Sequence, residues 1–499
     1  MTHIVRSRRA DRWLPRGRTA LLFQLILVVA VSGCSGHRSP HTPPSSPSSS
    51  APATTAPAAT AAQEWLTTPD GSRKLSRVGT VPMTTAGGAA GAAITVDDSQ
   101  RQQRFWGVGA SITGASASLL AALPASQRDQ LMQSLFGRPQ GAGLAVLRQP
   151  LGANDFSIGS HTYDDTAGLG HFSLGPDATT TLPLVRRAQQ LNPAATVVAT
   201  PWSAPAWMKS NHALIGGTLD GAHYAAYAQY LARTVQAYQA AGIRVGGLSV
   251  QNEPSFSPPG YPGMTLTADQ QAHLLQQFVR PALDAAGLRG IGLWALDDDY
   301  DRVADADRIV HDAGVRQAIA GVAFHCYRGS ISAMADFHRR NPGLPLAISE
   351  CTGGDWSPNF GANLRYDVQS LLIDGIRAGA SWVTKWNVAL DPHGGPTNGG
   401  CTDCRGVVTI DPVSHQVTYN EAYFALGHLG RFVTPGAYVL SVSGDSGSGV
   451  QAVAFGNPDG SHALLAFNAG AAGNSFTVTD SGRTFRASLP AGAVATFTW

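Results

Sequence analysis

Charge is scarce in this chain of 499 residues: Asp, Glu, Lys and Arg together make up 14%, and the net charge is +2. So neutral a chain has no electrostatic footprint for a polyanion. That sets nucleic acid aside as a partner and favours an uncharged substrate. Long apolar runs are also missing. The run at residues 20–31 is too short to span a bilayer comfortably. No His, Cys or carboxylate cluster has metal-site spacing, because the C-x-x-C of Cys401 and Cys404 lacks further ligands nearby. No metal and no cofactor is therefore expected. No glycine-rich phosphate loop follows the first strand signal, which argues against a doubly wound nucleotide-binding sheet. No solenoid-type repeat occurs.

What is present begins with export signals. Arg6, Arg8, Arg9, Arg12, Arg16 and Arg18 precede the short apolar run, the pattern of a signal peptide. Val31-Ser32-Gly33-Cys34 then resembles the lipobox of bacterial lipoproteins, in which the Cys is acylated. Residues 1–34 are expected to be a lipoprotein signal peptide with Cys34 as the lipidation site. The alternative is an ordinary signal peptide with an incidental Cys. Arg8-Arg9 is followed by Ala10-Asp11, a poor match to twin-arginine export. Residues 35–63 are mostly Ser, Pro, Thr and Ala and read as a flexible tether. The expected location is the outer face of a bacterial membrane, held there only by the N-terminal lipid, and the expected state is a monomer. With Cys34 acylated, four cysteines remain, an even number that suits an oxidising compartment. Cys401 and Cys404 are expected to form a small structural disulfide.

Between residues 105 and 418 short apolar runs alternate with amphipathic stretches. Runs at 142–147, 196–200, 245–250, 290–295, 322–324, 345–349 and 382–386 read as buried strands. Stretches such as 222–241 and 268–286 read as helices. Repeated strand–helix units over about 300 residues indicate α/β architecture and, by length, a (β/α)₈ TIM barrel. From 419 to 499 the pattern changes to alternating strands with Gly- and Asp-rich turns, a β-sandwich. Residues 64–104 are strand-like as well and are expected to join it, so both chain ends build the side domain.

Two acids end apolar strand signals: Glu253 in Gln251-Asn252-Glu253-Pro254 and Glu350 in Ser349-Glu350-Cys351. If 245–250 is the fourth strand, 345–349 is the seventh. Two carboxylates facing one glycosidic bond are the minimum equipment of a glycosidase: one protonates the leaving oxygen and the other attacks the anomeric carbon. Trp202 and Trp386 also end strands, and flat rings pack on the C–H faces of sugars. Trp207 and Trp382 are read as either sugar-facing or core. His325, ahead of Cys326-Tyr327, is read as orienting a carboxylate.

At this level of detail the chain resembles glycoside hydrolase family 30, which includes the acid β-glucosylceramidases. The blocks that carry the likeness run in order. They are the Gly-rich opening at 105–120, Leu147-Arg148-Gln149-Pro150 leading to Asn154-Asp155-Phe156-Ser157, Tyr163-Asp164-Asp165, and Phe172-Ser173-Leu174. Pro201-Trp202-Ser203 with Trp207-Met208-Lys209, Asn252-Glu253-Pro254, His325-Cys326-Tyr327, Ser349-Glu350 and Trp386-Asn387 complete the set. The resemblance implies a retaining mechanism with Glu253 as acid/base and Glu350 as nucleophile. It implies substrate binding by Trp202, Asn252, His325, Tyr327, Trp386 and Arg148, with Asn252 on the sugar 2-hydroxyl. It further implies that His325 and Tyr327 support Glu350, and that Arg148 pairs with a strand-end carboxylate or orients Glu350. Strands six and seven are neighbours in such a barrel, so Cys326 and Cys351 are placed to pair.

Two departures bear on the sugar. Glucosylceramidases carry an Asp after Thr in the opening block, whereas this chain has Thr113-Gly114. They also carry an acid where Lys385 stands. The leading reading is a secreted enzyme that cleaves β-glucoside-type linkages in a glycan or glycolipid. Alternatives are an endo-acting β-1,6-glucanase, galactanase or xylanase of the same family, or a carbohydrate-binding lipoprotein that has lost the reaction.

Overall fold

The computed structural model describes residues 60–85, 93–445 and 449–499. The segment read as a signal peptide, Cys34 and nearly all of the segment read as a tether lie outside the described residues.

Eight short strands close into a parallel barrel: β1 (Gly107–Ser111), β2 (Val146–Leu151), β3 (Thr196–Pro201), β4 (Val245–Ser249), β5 (Gly292–Asp299), β6 (Gly321–His325), β7 (Leu346–Glu350) and β8 (Ala380–Asn387). Each pairs with its neighbour in the chain, and β8 closes onto β1. Covered on both faces, the strands are buried along nearly their whole length, as parallel strands require. The barrel interior is filled by Trp294 and Trp382, packed edge-to-face at 5.1 Å, with Trp106 against Trp294 at 5.5 Å. Trp382 is therefore a core plug and takes no part in sugar binding.

Three strands depart from the sequence reading: β2 lies four residues beyond the run read at 142–147, and β1 and β5 differ for physical reasons. β1 carries no apolar run, because a Cβ on Gly109 would sit 1.6 Å from the Val146 carbonyl oxygen, so only glycine fits where β1 meets β2. β5 runs four residues past the expected end at 295. Its pairing with β6 skips Asp297, and Leu296 and Asp297 have φ of 68° and 55°. This is a bulge, which re-aims a side chain and breaks the alternation by which strands are read.

Helices Tyr224–Ala240 and Ala268–Leu274 cover the outside of the barrel. The second continues without a break through Leu275–Val279 and Arg280–Ala285. It opens on a capping box: Thr267 Oγ1 accepts from the Gln270 amide, and Gln270 Oε1 accepts from the Thr267 amide. Among the described residues no helix is long and apolar enough to cross a membrane.

The side domain is a ten-stranded β-sandwich sheet. It draws Ala61–Thr67, Ser76–Pro82, Thr84–Thr85 and Ala93–Phe105 from the N-terminal side and the strands from Ala437 to Thr498 from the other. One pairing inside it is parallel, between Ala93–Phe105 and Asn474–Asp480. The first sheet strand begins at Ala61, inside the segment read as tether. Residues assigned to the sandwich from 419 include helix Glu421–Gly430, which is buried along its whole length. His428 on that helix bonds Thr67 Oγ1 and Thr496 Oγ1, both at 2.9 Å, and so ties the helix to strands from both chain ends. Burial presses its imidazole down to about 3, so it stays neutral.

Candidate active site

The carboxyl ends of the barrel strands surround a cavity of about 590 Å³. Asp155, Trp202, Asn252, Glu253, Tyr327, Glu350 and Trp386 all face it. The volume lies within the range of small-molecule sites, about 300–1,000 Å³. Glu350 is the last residue of β7. Glu253 sits four residues past β4, with φ at 44°, a conformation costly for a residue with a Cβ. Its amide donates to the Asp297 carbonyl at 2.9 Å, and the Asn252 amide donates to the Pro201 carbonyl at 2.9 Å. These bonds hold the turn that aims the two side chains inward. One oxygen of Glu253 and one of Glu350 lie within 4.8 Å of each other, with a nitrogen of His325 within that distance of both.

The two acids have different surroundings. Glu350 accepts two charge-assisted or phenolic bonds, from Arg148 Nη1 at 2.5 Å and from the Tyr327 hydroxyl at 2.8 Å. Burial raises its carboxyl above the usual glutamate value. His325, Arg148 and the Tyr327 bond pull against that rise, and the Glu253 charge adds to it. Glu253 meets one partner, His325 Nδ1 at 3.2 Å, and its side chain is 16% exposed. The better-held carboxylate suits a nucleophile, and the more accessible acid suits proton transfer.

Below the cavity lies a charged layer that the sequence reading only partly anticipated. Arg148 Nη2 donates to Asn252 Oδ1 at 2.7 Å and to Asp297 Oδ2 at 3.0 Å. Asp297 also accepts from Ser349 Oγ at 2.7 Å and contacts His325 Nε2 at 3.2 Å. Burial alone would neutralise these groups. Against it, the Glu350, Glu253 and Asp297 carboxylates hold the His325 imidazole protonated, well above its ordinary value. Arg148, His325 and Ser349 hold Asp297 far below the usual carboxylate range. Arg148 thus both pairs with a strand-end carboxylate and orients Glu350.

Several expected roles change. Arg148 and His325 are fully buried and are not part of the cavity wall, so neither touches substrate directly. His325 bonds Glu253 and Asp297 and supports Glu350 through its charge, without a hydrogen bond to it. Gly114 does not line this cavity either: a side chain there would press on the Ser157–Ile158 backbone at 2.9–3.0 Å. Lys385 turns outward from the barrel, buried, and donates to Asp367 at 2.8 Å. Lys385 therefore stays out of the catalytic cavity, and Gly114 offers no side chain to it. Trp207 donates through its ring N–H to the Asp164 carbonyl at 3.0 Å and is absent from the cavity wall.

Two residues were missed. Asp297 fell beyond the expected strand, in the run Asp297-Asp298-Asp299. All three acids have work there: Asp298 accepts from the Ser255 amide just after the acid/base turn, and Asp299 accepts from the amides of Tyr327 and Arg328. Three consecutive acids at a strand end were the available signal. Asp155 belongs to the Asn154-Asp155-Phe156-Ser157 block, from which no role for it can be read. Its Oδ2 accepts from Trp386 Nε1 at 3.3 Å, and its Oδ1 is buried without a protein partner. Burial, with Glu350 and Glu253 nearby, raises its carboxyl well above the usual value.

The rest of the wall is aromatic. Trp202 and Trp386 stack at 4.9 Å, and the Arg148 guanidinium lies 5.0 Å from the Trp202 ring centre and 5.7 Å from that of Trp386. The expected Cys401–Cys404 disulfide is formed in the cavity wall, and Cys326 and Cys351, whose pairing the sequence left open, are bonded beneath the nucleophile. Glu253, His325 and Glu350 are close enough to suggest a cation site. However, the Arg148 guanidinium already occupies one Glu350 oxygen, and both His325 nitrogens are engaged by carboxylates. A metal ion there would meet a fixed positive charge.

Opposed carboxylates at the C-terminal mouth of a (β/α)₈ barrel, beside stacked aromatic rings, define a glycoside hydrolase site. Residues 105–433 match the glycosyl hydrolase family 30 TIM-barrel domain, and residues 436–497 match the family's beta sandwich domain. The chain belongs to glycosyl hydrolase family 30. It is 33% identical over 438 residues to an endo-1,6-β-D-glucanase of Aspergillus fumigatus, covering 81% of this chain and 87% of that protein. It is 27% identical over 436 residues to the lysosomal acid glucosylceramidase of Mus musculus, covering 82% and 84%. A solved structure of an endo-β1,6-glucanase superposes with a TM-score of 0.82 at 26% identity, covering 88% of this chain and 99% of that one.

Proposed function

We propose that this protein is a retaining endo-acting β-glucanase that cleaves β-1,6-linked glucan by double displacement. The observation that carries the mechanism is the approach of Glu253 and Glu350 oxygens to within 4.8 Å. Retaining glycosidases hold their carboxyl groups about 5–5.5 Å apart, whereas inverting ones need about 6.5–9.5 Å to admit a water. Glu350 attacks the anomeric carbon as Glu253 gives its proton to the departing glycosidic oxygen. Glu253 then takes a proton from water, which displaces Glu350 and restores the starting configuration. The Asn252 amide, fixed by Arg148, is oriented to meet the sugar 2-hydroxyl.

The sequence reading put a β-glucoside or glycolipid first and an endo-β-1,6-glucanase second. Relatives at 32–33% identity that carry the endo-1,6-β-D-glucanase name support the second, against 26–29% for glucosylceramidases. The test is incubation with a linear β-1,6-glucan. A spread of oligosaccharides early in the reaction is expected, and release of glucose alone, or of nothing, would reject the reading. The export signals support a lipoprotein anchored through Cys34 outside the cell. Cys34→Ser is then expected to free the protein from membranes, and an unchanged membrane fraction would refute the anchor.

A further inference from the structure

Among the described residues, the aromatic side chains left substantially exposed are Phe256, Tyr327, Trp356 and Tyr366, with Trp356 the most open at 58%. They are not scattered. Each lines either the catalytic cavity or a second cavity of about 420 Å³, and the two cavities meet at Tyr327, Thr352 and Trp356. Solvent-facing rings are costly to maintain without a partner, so their gathering around one pair of cavities points to a ligand.

The second cavity has a definite chemistry. Trp356 and Tyr366 supply ring faces. Asp367 lies in its wall, 4% exposed, with Oδ1 accepting from Lys385 Nζ at 2.8 Å and Oδ2 buried without a partner. Glu421, also in the wall, is 5% exposed and accepts from Arg405 Nη2 at 3.1 Å. An orphaned buried carboxylate oxygen wants a donor. No Leu, Ile, Val, Met or Phe lines this cavity, so an acyl chain would find no aliphatic wall. Asp367 and Glu421 are each already paired with a cation, Lys385 and Arg405, so those cations are not left over to hold an anion. Rings plus hydroxyl acceptors are what a neutral sugar needs.

We infer that the cavity behind Trp356 is a second sugar subsite, which holds a neighbouring residue of the glycan cleaved at Glu253 and Glu350. The inference rests on the proposal that the protein cleaves a β-linked glucan, and it adds where the chain continues. A sugar residue stacks on Trp356, and its hydroxyls donate to Asp367 Oδ2.

The test is kcat/KM on β-1,6-gluco-oligosaccharides of two to five units, for the wild type, Trp356→Ala and Tyr366→Ala. The readout is the ratio of the longest to the shortest substrate within each protein, which cancels differences in active fraction. The wild-type ratio is expected to be tenfold or more and to fall toward one in both variants. Retention of the wild-type ratio in both would overturn the subsite. So would a loss confined to glucosylceramide in detergent micelles, which would make the cavity a lipid site. If the enzyme cleaves β-1,4- rather than β-1,6-linked oligosaccharides, the linkage proposal fails, and the subsite stands or falls by the same ratio in that series.

Discussion

Arg148 on β2 and Asp297 on β5 face each other inside the barrel, 149 residues apart in sequence, with Nη2 donating to Oδ2 at 3.0 Å. Both side chains are 1% exposed. Breaking such a pair from one side leaves an uncompensated buried charge, at a cost of about 3–5 kcal/mol. Asp297→Asn is expected to lose stability of that order in chemical denaturation at pH 7. The folded carboxyl is held below its unfolded value. Its stabilisation is therefore complete above an unfolded value of about 4, declines as pH falls below that, and is lost once pH has fallen through the depressed value. The gap between wild type and variant should thus narrow in strong acid. A variant within about 0.5 kcal/mol of wild type at pH 7 would contradict the account.

The Tyr327 hydroxyl donates to Glu350 at 2.8 Å and favours its ionised form. Tyr327→Phe removes that donor, so the Glu350 carboxyl rises further and the nucleophile is protonated at higher pH. A hydrogen bond to a charged group is worth about 1.5–3 kcal/mol, which corresponds to about one pH unit or more. The acidic limb of the kcat/KM profile should move upward by that amount. A limb that stays in place or moves toward acid would reject the role.

Glu253→Ala should slow substrates with poor leaving groups by far more than those with activated ones, because only the former need a proton. Azide fits the space vacated by the side chain. It should restore turnover and give the β-glycosyl azide. An α-azide product would contradict double displacement.

Asp155 Oδ1 is buried in the cavity wall without a protein partner, beside Trp386. Its carboxyl is pushed well up by burial and by Glu350 and Glu253, and is placed to bond a sugar hydroxyl. Asp155→Ala should lower kcat/KM by about 10–150-fold, the range for a bond of about 1.5–3 kcal/mol. A loss of less than threefold would remove Asp155 from substrate binding.

The barrel was legible because its strands are buried on both faces, so seven of them stand out as apolar runs closed by polar residues. Glu253 and Glu350 were legible as acids that end two of those runs. β1 was hidden because close contact at Gly109 forbids the side chains that would mark a strand. Asp297 was hidden by the bulge at Leu296–Asp297, which carries the strand past its apparent end. The role of His325 was only partly readable, for another reason. Its position at the end of β6 is readable, but which acid it meets depends on the turn at Glu253, where φ is positive. Helix Glu421–Gly430 sits among strand-like segments, and only its packing against both chain ends separates it from the sheet.

Trapping the reaction intermediate tests the central claim most directly. A 2-deoxy-2-fluoro-β-glucoside with an activated leaving group should inactivate the enzyme, and peptide mass mapping should find one added fluoroglucosyl group on Glu350. An adduct on Glu253 or any other residue would contradict direct attack by Glu350. So would steady hydrolysis of the reagent with no adduct formed.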